Sequence, residues 1–289
     1  TKLIITINDN NELFYKVYKN NIYSIAVQNG SRSYHNDILK NLKQLKKKYK
    51  INKYFVFNKC FKSELSKYIN TNFDFLGSPL NNNYKKTNFR FKNSALYMSP
   101  FSYNTYIEFK KDKKKFYNFY QKEINFIKKI NFELKKMNIK LHILGKLRDQ
   151  NKSVEKNFYN LSGIKFIENF KNRKTFEIAS KFETLIGYSS STLTYEMLAR
   201  GKKIAILNRD YNYYPFTTKK FGYFGNLSDN GIFWIKSNNH LKFINLFNKI
   251  KRMSKIDWDD VLKKHKKFTC EYNFLNKKLK NHIQLILEN

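Results

Sequence analysis

Glycine and proline are scarce in this chain of 289 residues, at 9 and 3. No segment carries the glycine fingerprint of a dinucleotide fold or the Gly-Lys-Ser/Thr of a P-loop, which argues against NAD enzymes and ATPases. Cysteine is nearly absent: Cys60 and Cys270 lie far apart in the sequence. They fit no metal spacing and no disulfide framework, and point to a reducing compartment. No apolar run approaches the roughly 20 residues that span a bilayer, and no signal-peptide core opens the chain. Asp-x-Asp is missing too, and Asp257, Asp259 and Asp260 around Trp258 read as helix caps. No metal site and no cofactor are therefore expected. No repeat of fixed period is visible.

Acidic residues are few, 22 against 57 Lys plus Arg, for a formal charge of +35. Such an excess suits an anionic partner: nucleic acid, an acidic membrane surface or a charged glycan. The basic residues are nevertheless dispersed, with only short runs such as Lys46–Lys48 and Lys110–Lys115. Lys, Asn, Ile, Phe and Tyr crowd the chain together, as coding bias in an AT-rich genome would produce. A solvated lysine surface is the simpler account, and nucleic acid is not the expected partner. Hydrophobic residues make up 41%, enough to bury a core.

Short apolar runs alternate with longer amphipathic stretches, the pattern of an α/β protein with parallel sheets. Strands are expected at Leu3–Ile7, Tyr23–Val27, Tyr54–Phe57, Phe73–Leu76, Ala95–Met98, Lys140–Leu144, Ile164–Ile167, Thr184–Gly187 and Lys203–Leu207. Helices are expected at Asn36–Tyr49, Lys62–Ile69, Lys114–Met137, Val154–Leu161, Thr175–Lys181, Thr192–Arg200, Asn239–Arg252, Asp257–Lys267 and Tyr272–Leu287. A polar, turn-rich stretch near residues 78–93 divides the chain. The expectation is a Rossmann-like lobe over 1–90, a second over 91–255, and C-terminal helices over 256–289 that pack back, the architecture called GT-B. The first lobe is short and opens on Thr1, as an incomplete lobe would.

One segment concentrates the chemistry. A strand ends at Gly187, the turn Ser189-Ser190-Ser191-Thr192 follows, and a helix carrying Glu196 comes next. Ligands of open parallel sheets sit at the carboxyl ends of strands. A helix N-terminus there offers unpaired N–H groups to phosphate. The hydroxyls add donors, and Glu196 could accept from ribose or sugar hydroxyls. Plain helix capping by Ser and Thr explains the same residues equally well.

The stretch Ser190-Ser191-Thr192-Leu193-Thr194-Tyr195-Glu196-Met197-Leu198-Ala199-Arg200-Gly201-Lys202-Lys203 resembles a motif of bacterial surface and capsular polysaccharide biosynthesis proteins. That motif is a serine pair, then Tyr/Phe-Glu-Ala-Leu, then Arg-Gly-Lys. The group includes the capsular Kdo transferases, in which a similar turn holds the phosphate of a CMP-activated sugar. Gln28-Asn29-Gly30-Ser31-Arg32-Ser33 resembles the family's Gln-His-Gly or Glu-Asp-Gly loop followed by Arg-Ser, and Phe73–Ser78 with Asn81-Asn82 resembles its strand and Gly-Ser turn. Phe221-Gly222-Tyr223, Gly231–Trp234, Trp258 and Asn276 also have counterparts. Two departures stand out: Gln28 and Asn29 replace an acidic pair, and His142 lies where a His-Pro dipeptide is usual.

The resemblance implies a glycosyltransferase of the GT-B type, and the lack of a metal motif leads us to expect one that acts without a metal. It would move a sugar from a nucleotide donor, CMP-Kdo or a related acidic sugar, to a surface polysaccharide or glycolipid acceptor. Its place would be the cytoplasm or the inner face of the membrane, in peripheral contact with anionic lipid. Nucleotide-sugar binding is expected at His142, Lys146, Arg148, Ser189, Ser190, Ser191, Thr192 and Glu196. The loop Gln28, Asn29, Gly30 and Arg32 is expected to face the acceptor. Glycosyl transfer needs a base or a carboxylate, and Asp9, Glu12, His35 and Asp37 are the candidates, with Asp9 first because it follows a buried strand. The alternatives are a basic nucleic-acid-binding protein and an inactive transferase relative that serves as a scaffold.

Overall fold

The computed structural model describes residues 2–16, 21–30, 48–88, 90–147, 149–169, 175–208 and 227–288. Within them, runs of branched and aromatic residues form strands that pair in parallel, in two sheets. The chain divides into two units, drawn from Thr1–Lys85 with Leu262–Asn289, and from Lys86–Phe221 with Ser228–Val261.

The first unit holds β1 (Lys2–Thr6), β2 (Ile22–Val27), β3 (Tyr49–Val56) and β4 (Ile69–Phe75), in that spatial order. Ile25, Val27, Phe55 and Leu76 form its core cluster, each such side chain worth about 1.5–3 kcal/mol when fully buried. Three short helices accompany the strands: α1 (Glu12–Lys16), α2 (Lys59–Leu65) and α3 (Pro79–Asn82). The helix expected at Lys62–Ile69 starts earlier. The Asn58 side chain accepts from Phe61 N–H and caps α2 directly behind β3, so Ile69 is free to open β4. Of the helix expected at Asn36–Tyr49, residues 36–47 lie outside the described residues, and Tyr49 begins β3.

The second unit holds β5 (Phe91–Met98), β6 (Lys140–Leu144), β7 (Lys165–Ile167), β8 (Phe182–Gly187), β9 (Lys203–Asn208) and β10 (Trp234–Lys236). Their spatial order is β10-β9-β8-β5-β6-β7. This is the Rossmann order, in which the chain runs outward from β5 to one edge, then returns to β8 on the other side of β5. The strand β10 was not expected: only Trp234 of its three residues is buried, so no apolar run marks it.

Helices α4 (Tyr103–Lys110), α5 (Lys113–Phe116), α6 (Lys122–Lys136), α7 (Lys152–Asn160), α8 (Thr175–Ser180), α9 (Thr192–Ala199), α10 (His240–Arg252) and α11 (Lys255–Lys264) complete the unit. The single helix expected at Lys114–Met137 is interrupted by a π-helical turn at Tyr117–Gln121. The wider turn carries Tyr120 inward, 2% exposed, with its ring 5.0 Å from Tyr106, 5.3 Å from Phe158 and 5.7 Å from Phe101. α6 buries Ile127, Ile130 and Leu134, and its Phe126 meets Phe243 of α10.

Trp258 of α11 is fully buried, edge-on to Phe233, and its indole N–H donates to the Gly201 carbonyl at 3.2 Å. From Leu262 onward the chain belongs to the first unit. The helix expected from Tyr272 begins only at Lys277, as α12 (Lys277–Glu288). Leu275 and Asn276 hold left-handed backbone, φ 59° and 55°, which stops a helix from forming through them. An asparagine clasp fixes this corner. Asn82 Nδ2 donates to Asn276 Oδ1 at 2.9 Å, Asn276 Nδ2 donates to the Pro79 carbonyl at 3.0 Å, and Asn273 N–H donates to Asn82 Oδ1 at 2.9 Å. Gly77 is part of the same corner: a Cβ there would fall 1.9 Å from the Glu271 carbonyl oxygen. Leu279, Ile283 and Ile286 of α12 then pack on the first sheet's core. Among the described residues, no helix is long and apolar enough to cross a membrane.

Candidate active site

The second sheet has a topological switch point between β5 and β8, where successive connections leave in opposite directions. Open α/β sheets bind ligands in the crevice outside the carboxyl ends of the strands at that point. The serine turn follows β8, so strand order places it there.

Gly187 is the pivot of that turn. A Cβ on it would lie 2.5 Å from Thr194 Oγ1 and 2.8 Å from Met98 Cε, so only glycine lets α9 sit this close to the strand end. Ser189 is 3% exposed, and its N–H donates to Asn208 Oδ1 at the end of β9, at 3.3 Å. Ser190 is exposed, while Ser191 and Thr192 are half-buried. Ser191 is the N-cap of α9 in extended conformation, φ −92° and ψ 121°, yet its side chain makes no capping hydrogen bond. Capping by the Ser191 hydroxyl therefore does not explain that serine. Its first turn keeps the dipole and N–H groups that suit an anion. Glu196 is 5% exposed on the second turn of α9.

Beneath the turn lies a polar network that sequence reasoning missed. Tyr97 of β5 donates its hydroxyl to the Glu123 carboxylate of α6. Tyr188, the residue before the serines, shares the site, with its hydroxyl 2.8 Å from that of Tyr97 and 3.1 Å from Glu123 Oε1. A second buried carboxylate, Glu155 of α7, accepts from Ser99 Oγ, from Lys146 N–H at 2.9 Å and from Leu147 N–H at 2.8 Å. Burial pushes the Glu155 carboxyl above its ordinary range, opposed by the Ser99 and backbone hydrogen bonds. It pushes the Tyr159 phenol well up as well, and Tyr159 also accepts from Ser99 Oγ at 3.1 Å. Two helix carboxylates thus hold the loops after β5, β6 and β8 in place.

The other expected donor-site residues divide. Lys146 belongs to the loop after β6; the residue is exposed, its N–H is held by Glu155, and desolvation, opposed by the Glu155 charge, holds its ammonium below the usual range. His142 is the third of five residues in β6, and its ring lies 5.1 Å from that of Phe182, the first residue of β8. It leans toward the amino ends of the strands, away from the serine turn. Its Nδ1 is buried without a partner, and burial, with Lys140 and Lys165 nearby, holds the imidazole below its usual range. Arg148 lies outside the described residues.

In the first unit, Asp9, Gln28, Asn29 and Gly30 come together at the carboxyl ends of β1 and β2. Asp9 is fully buried; Oδ2 accepts from Tyr54 at 2.6 Å and Oδ1 from Asn29 N–H at 3.1 Å. Gln28, also fully buried, donates to the Gly30 carbonyl at 2.8 Å and accepts from Phe57 N–H at 2.8 Å. An ionised carboxylate could not make the first of these bonds, which accounts for an amide where the resembling family carries an acid. Glu12 is not part of this cluster; it accepts from Tyr49 at 2.6 Å and pairs with Lys16. Arg32, His35 and Asp37 lie outside the described residues, as does Phe221-Gly222-Tyr223. Among the described residues, no group of three or more His, Cys, Asp or Glu could hold a metal.

Several solved structures are similar to this chain. A protein from Listeria monocytogenes described as a putative UDP-N-acetylglucosamine 2-epimerase is 12% identical, with TM-score 0.54 over 99% of this chain and 74% of its own. A glycosyltransferase from Rickettsia africae is 12% identical, with TM-score 0.48 over 100% and 77%. S. aureus TarM is 14% identical, with TM-score 0.45 over 92% and 51%, so this chain spans about half of TarM's length. The likeness to the Listeria monocytogenes protein shows the fold, a GT-B-like α/β arrangement. No curated protein sequence matches significantly. The model of one protein family covers residues 25–286, and the chain belongs to that family, described as "putative O-antigen biosynthesis protein".

Proposed function

We propose that the chain binds a nucleotide-activated sugar at the carboxyl edge of the second sheet and transfers the sugar to a surface polysaccharide or glycolipid acceptor. The observation that carries this is the serine turn at the β5/β8 switch point, leading into a helix whose N-cap Ser191 makes no side-chain capping bond. Membership of an O-antigen biosynthesis family supports the acceptor class. The donor phosphate would take the α9 N-terminus and the hydroxyls of Ser190, Ser191 and Thr192. Glu196, behind them on α9, is suited to ribose or sugar hydroxyls, and the exposed Lys146 to residual phosphate charge. The finer reading is a CMP-activated acidic sugar of the Kdo type. Fixed N–H groups and lysine would neutralise the leaving phosphate without a divalent cation. Contact with an anionic membrane would be peripheral.

Asp9 takes a positioning role in this reading, because both carboxylate oxygens already hold the Asn29 and Tyr54 partners. The amide at Gln28 favours a second reading, a binding subunit without catalysis.

Calorimetry with CMP, CMP-Kdo, UDP and UDP-N-acetylglucosamine tests the donor site. The double variant Ser190→Ala, Ser191→Ala is expected to weaken the nucleotide that binds at least tenfold. If no nucleotide binds the parent chain, the proposal fails. Product formation in the presence of EDTA tests the metal-free mechanism. Binding without product from any acceptor extract would favour the subunit reading.

A further inference from the structure

A hollow of about 420 Å³ opens at the opposite end of the second sheet from the serine turn. This volume falls within the roughly 300–1,000 Å³ range of small-molecule sites. Its floor is apolar, from Ile139, Leu141 and Ile164, all 6% exposed or less. Lys135, Lys140 and Lys165 stand around it, and no carboxylate lines it. Lys140 and Lys165 are the first residues of β6 and β7, and Lys135 lies in the last turn of α6. Left-handed backbone at Asn138, φ 55°, and Gly163, φ 69°, turns the chain into the two strands and shapes the rim. Four residue steps along β6, about 13 Å at 3.3 Å each, separate Lys140 from the carboxyl edge.

The charge arrangement here differs from the rest of the lysine-rich surface. Lys136, on the same helix turn, is paired with Glu133, and Lys152 and Lys156 share Glu168. The three hollow lysines pair with no carboxylate among the described residues. Three ammonium groups over an apolar floor therefore leave a net +3 with no internal counterion. Lysine is a compact point charge on a flexible stem, suited to a multiply charged, roughly spherical anion. A single carboxylate would neutralise one of the three; a phosphate ester matches the charge better, and the floor matches the apolar face of an attached sugar or lipid body.

We propose that this hollow is a second anion site, which takes a phosphate ester of about sugar size, separate from the donor site at the serine turn. The phosphate could belong to a soluble sugar phosphate or to a lipid headgroup. Calorimetry with inorganic phosphate and glucose 1-phosphate, and flotation with phosphatidylglycerol or phosphatidylcholine vesicles, separates the two sources. The double variant Lys140→Gln, Lys165→Gln is expected to lose at least tenfold in affinity for the soluble esters, or to release the protein from the anionic vesicles. A charge-matched control, Lys263→Gln with Lys264→Gln on α11, is expected to change binding less than twofold. The Ser190→Ala, Ser191→Ala pair is also expected to leave it unchanged, so failure of the donor-site proposal is distinguishable from failure here. Equal losses in the hollow and control variants would overturn the proposal, as would the absence of both saturable phosphate binding and vesicle retention in the parent.

Discussion

Replacing Glu155 by alanine tests the reasoning about the candidate site most directly. The carboxylate is fully buried and accepts hydrogen bonds from Ser99 Oγ and from the N–H groups of Lys146 and Leu147. Ser99 can redirect its hydroxyl to Tyr159, 3.1 Å away, but the two backbone donors have no such alternative. Each stranded donor costs about 1–3 kcal/mol, so the variant should lose about 2–6 kcal/mol locally. Hydrogen exchange of a peptide spanning Gly145–Leu147 reads this without requiring global unfolding. A loss of about 3 kcal/mol corresponds to roughly 150-fold faster exchange, since about 1.4 kcal/mol is tenfold. Donor affinity should fall with it if the loop serves the nucleotide. Exchange within about threefold of the parent would refute the claim that this carboxylate holds the loop. The pH dependence supplies a second check. Because the Glu155 carboxyl is pushed up in the folded state, the native chain binds more protons there than the unfolded chain between its ordinary and its raised value. Stability contributed by this group is full below the ordinary range and falls as pH rises through the raised one. Glu155→Gln should abolish that slope.

Other substitutions probe the fold around the site. Gly187→Ala places a Cβ 2.5 Å from Thr194 Oγ1 and 2.8 Å from Met98; thermal melts should show a loss of about 1–3 kcal/mol from overpacking. Asn276→Ala removes the clasp to Asn82, Pro79 and Asn83 at a left-handed residue. Urea titration should show a loss of about 2–4 kcal/mol, and Asn276→Gly a smaller one because its backbone strain is relieved. Lys202 is buried, donates to the Ser180 carbonyl, and is pulled down to about 8, first by burial and then by Arg200. Between about 8 and its ordinary value the unfolded chain carries the extra proton, so stability should rise with pH across that window. A Lys202→Met variant should show a flatter stability profile there.

The sequence was most legible where burial is periodic and local. All nine expected strands occur, and Lys140–Leu144 keeps its bounds, because a strand buried on both faces reads as an apolar run. Local signals misled where a single cap or a left-handed residue decides. Asn58 moved the start of α2, and Leu275 with Asn276 stopped a helix that spacing alone would extend. The serine turn was visible, but its position at the switch point was not, because strand order is a long-range property. The network beneath it was hidden for the same reason. Glu123 and Glu155 look like solvent-facing charges on amphipathic helices, while their partners Tyr188 and Ser99 lie 65 and 56 residues away. Gly77, Ser78, Asn82 and Asn276 resembled family motifs, and the structure gives them a physical role, since together they form one corner of the first unit.

The return of α12 to the first sheet has a consequence for how the protein is made. Leu279, Ile283 and Ile286 cover the core of strands synthesised before Lys85, yet α12 ends at Glu288. At roughly 5–20 residues per second, about 200 residues of synthesis leave that apolar face uncovered for about 10–40 s. The second unit, closed by Val261, has all its strands and helices before the first unit has its cover. The usual order of N-terminal domain first is reversed: the second unit can close while the first sheet still lacks the cover of one face.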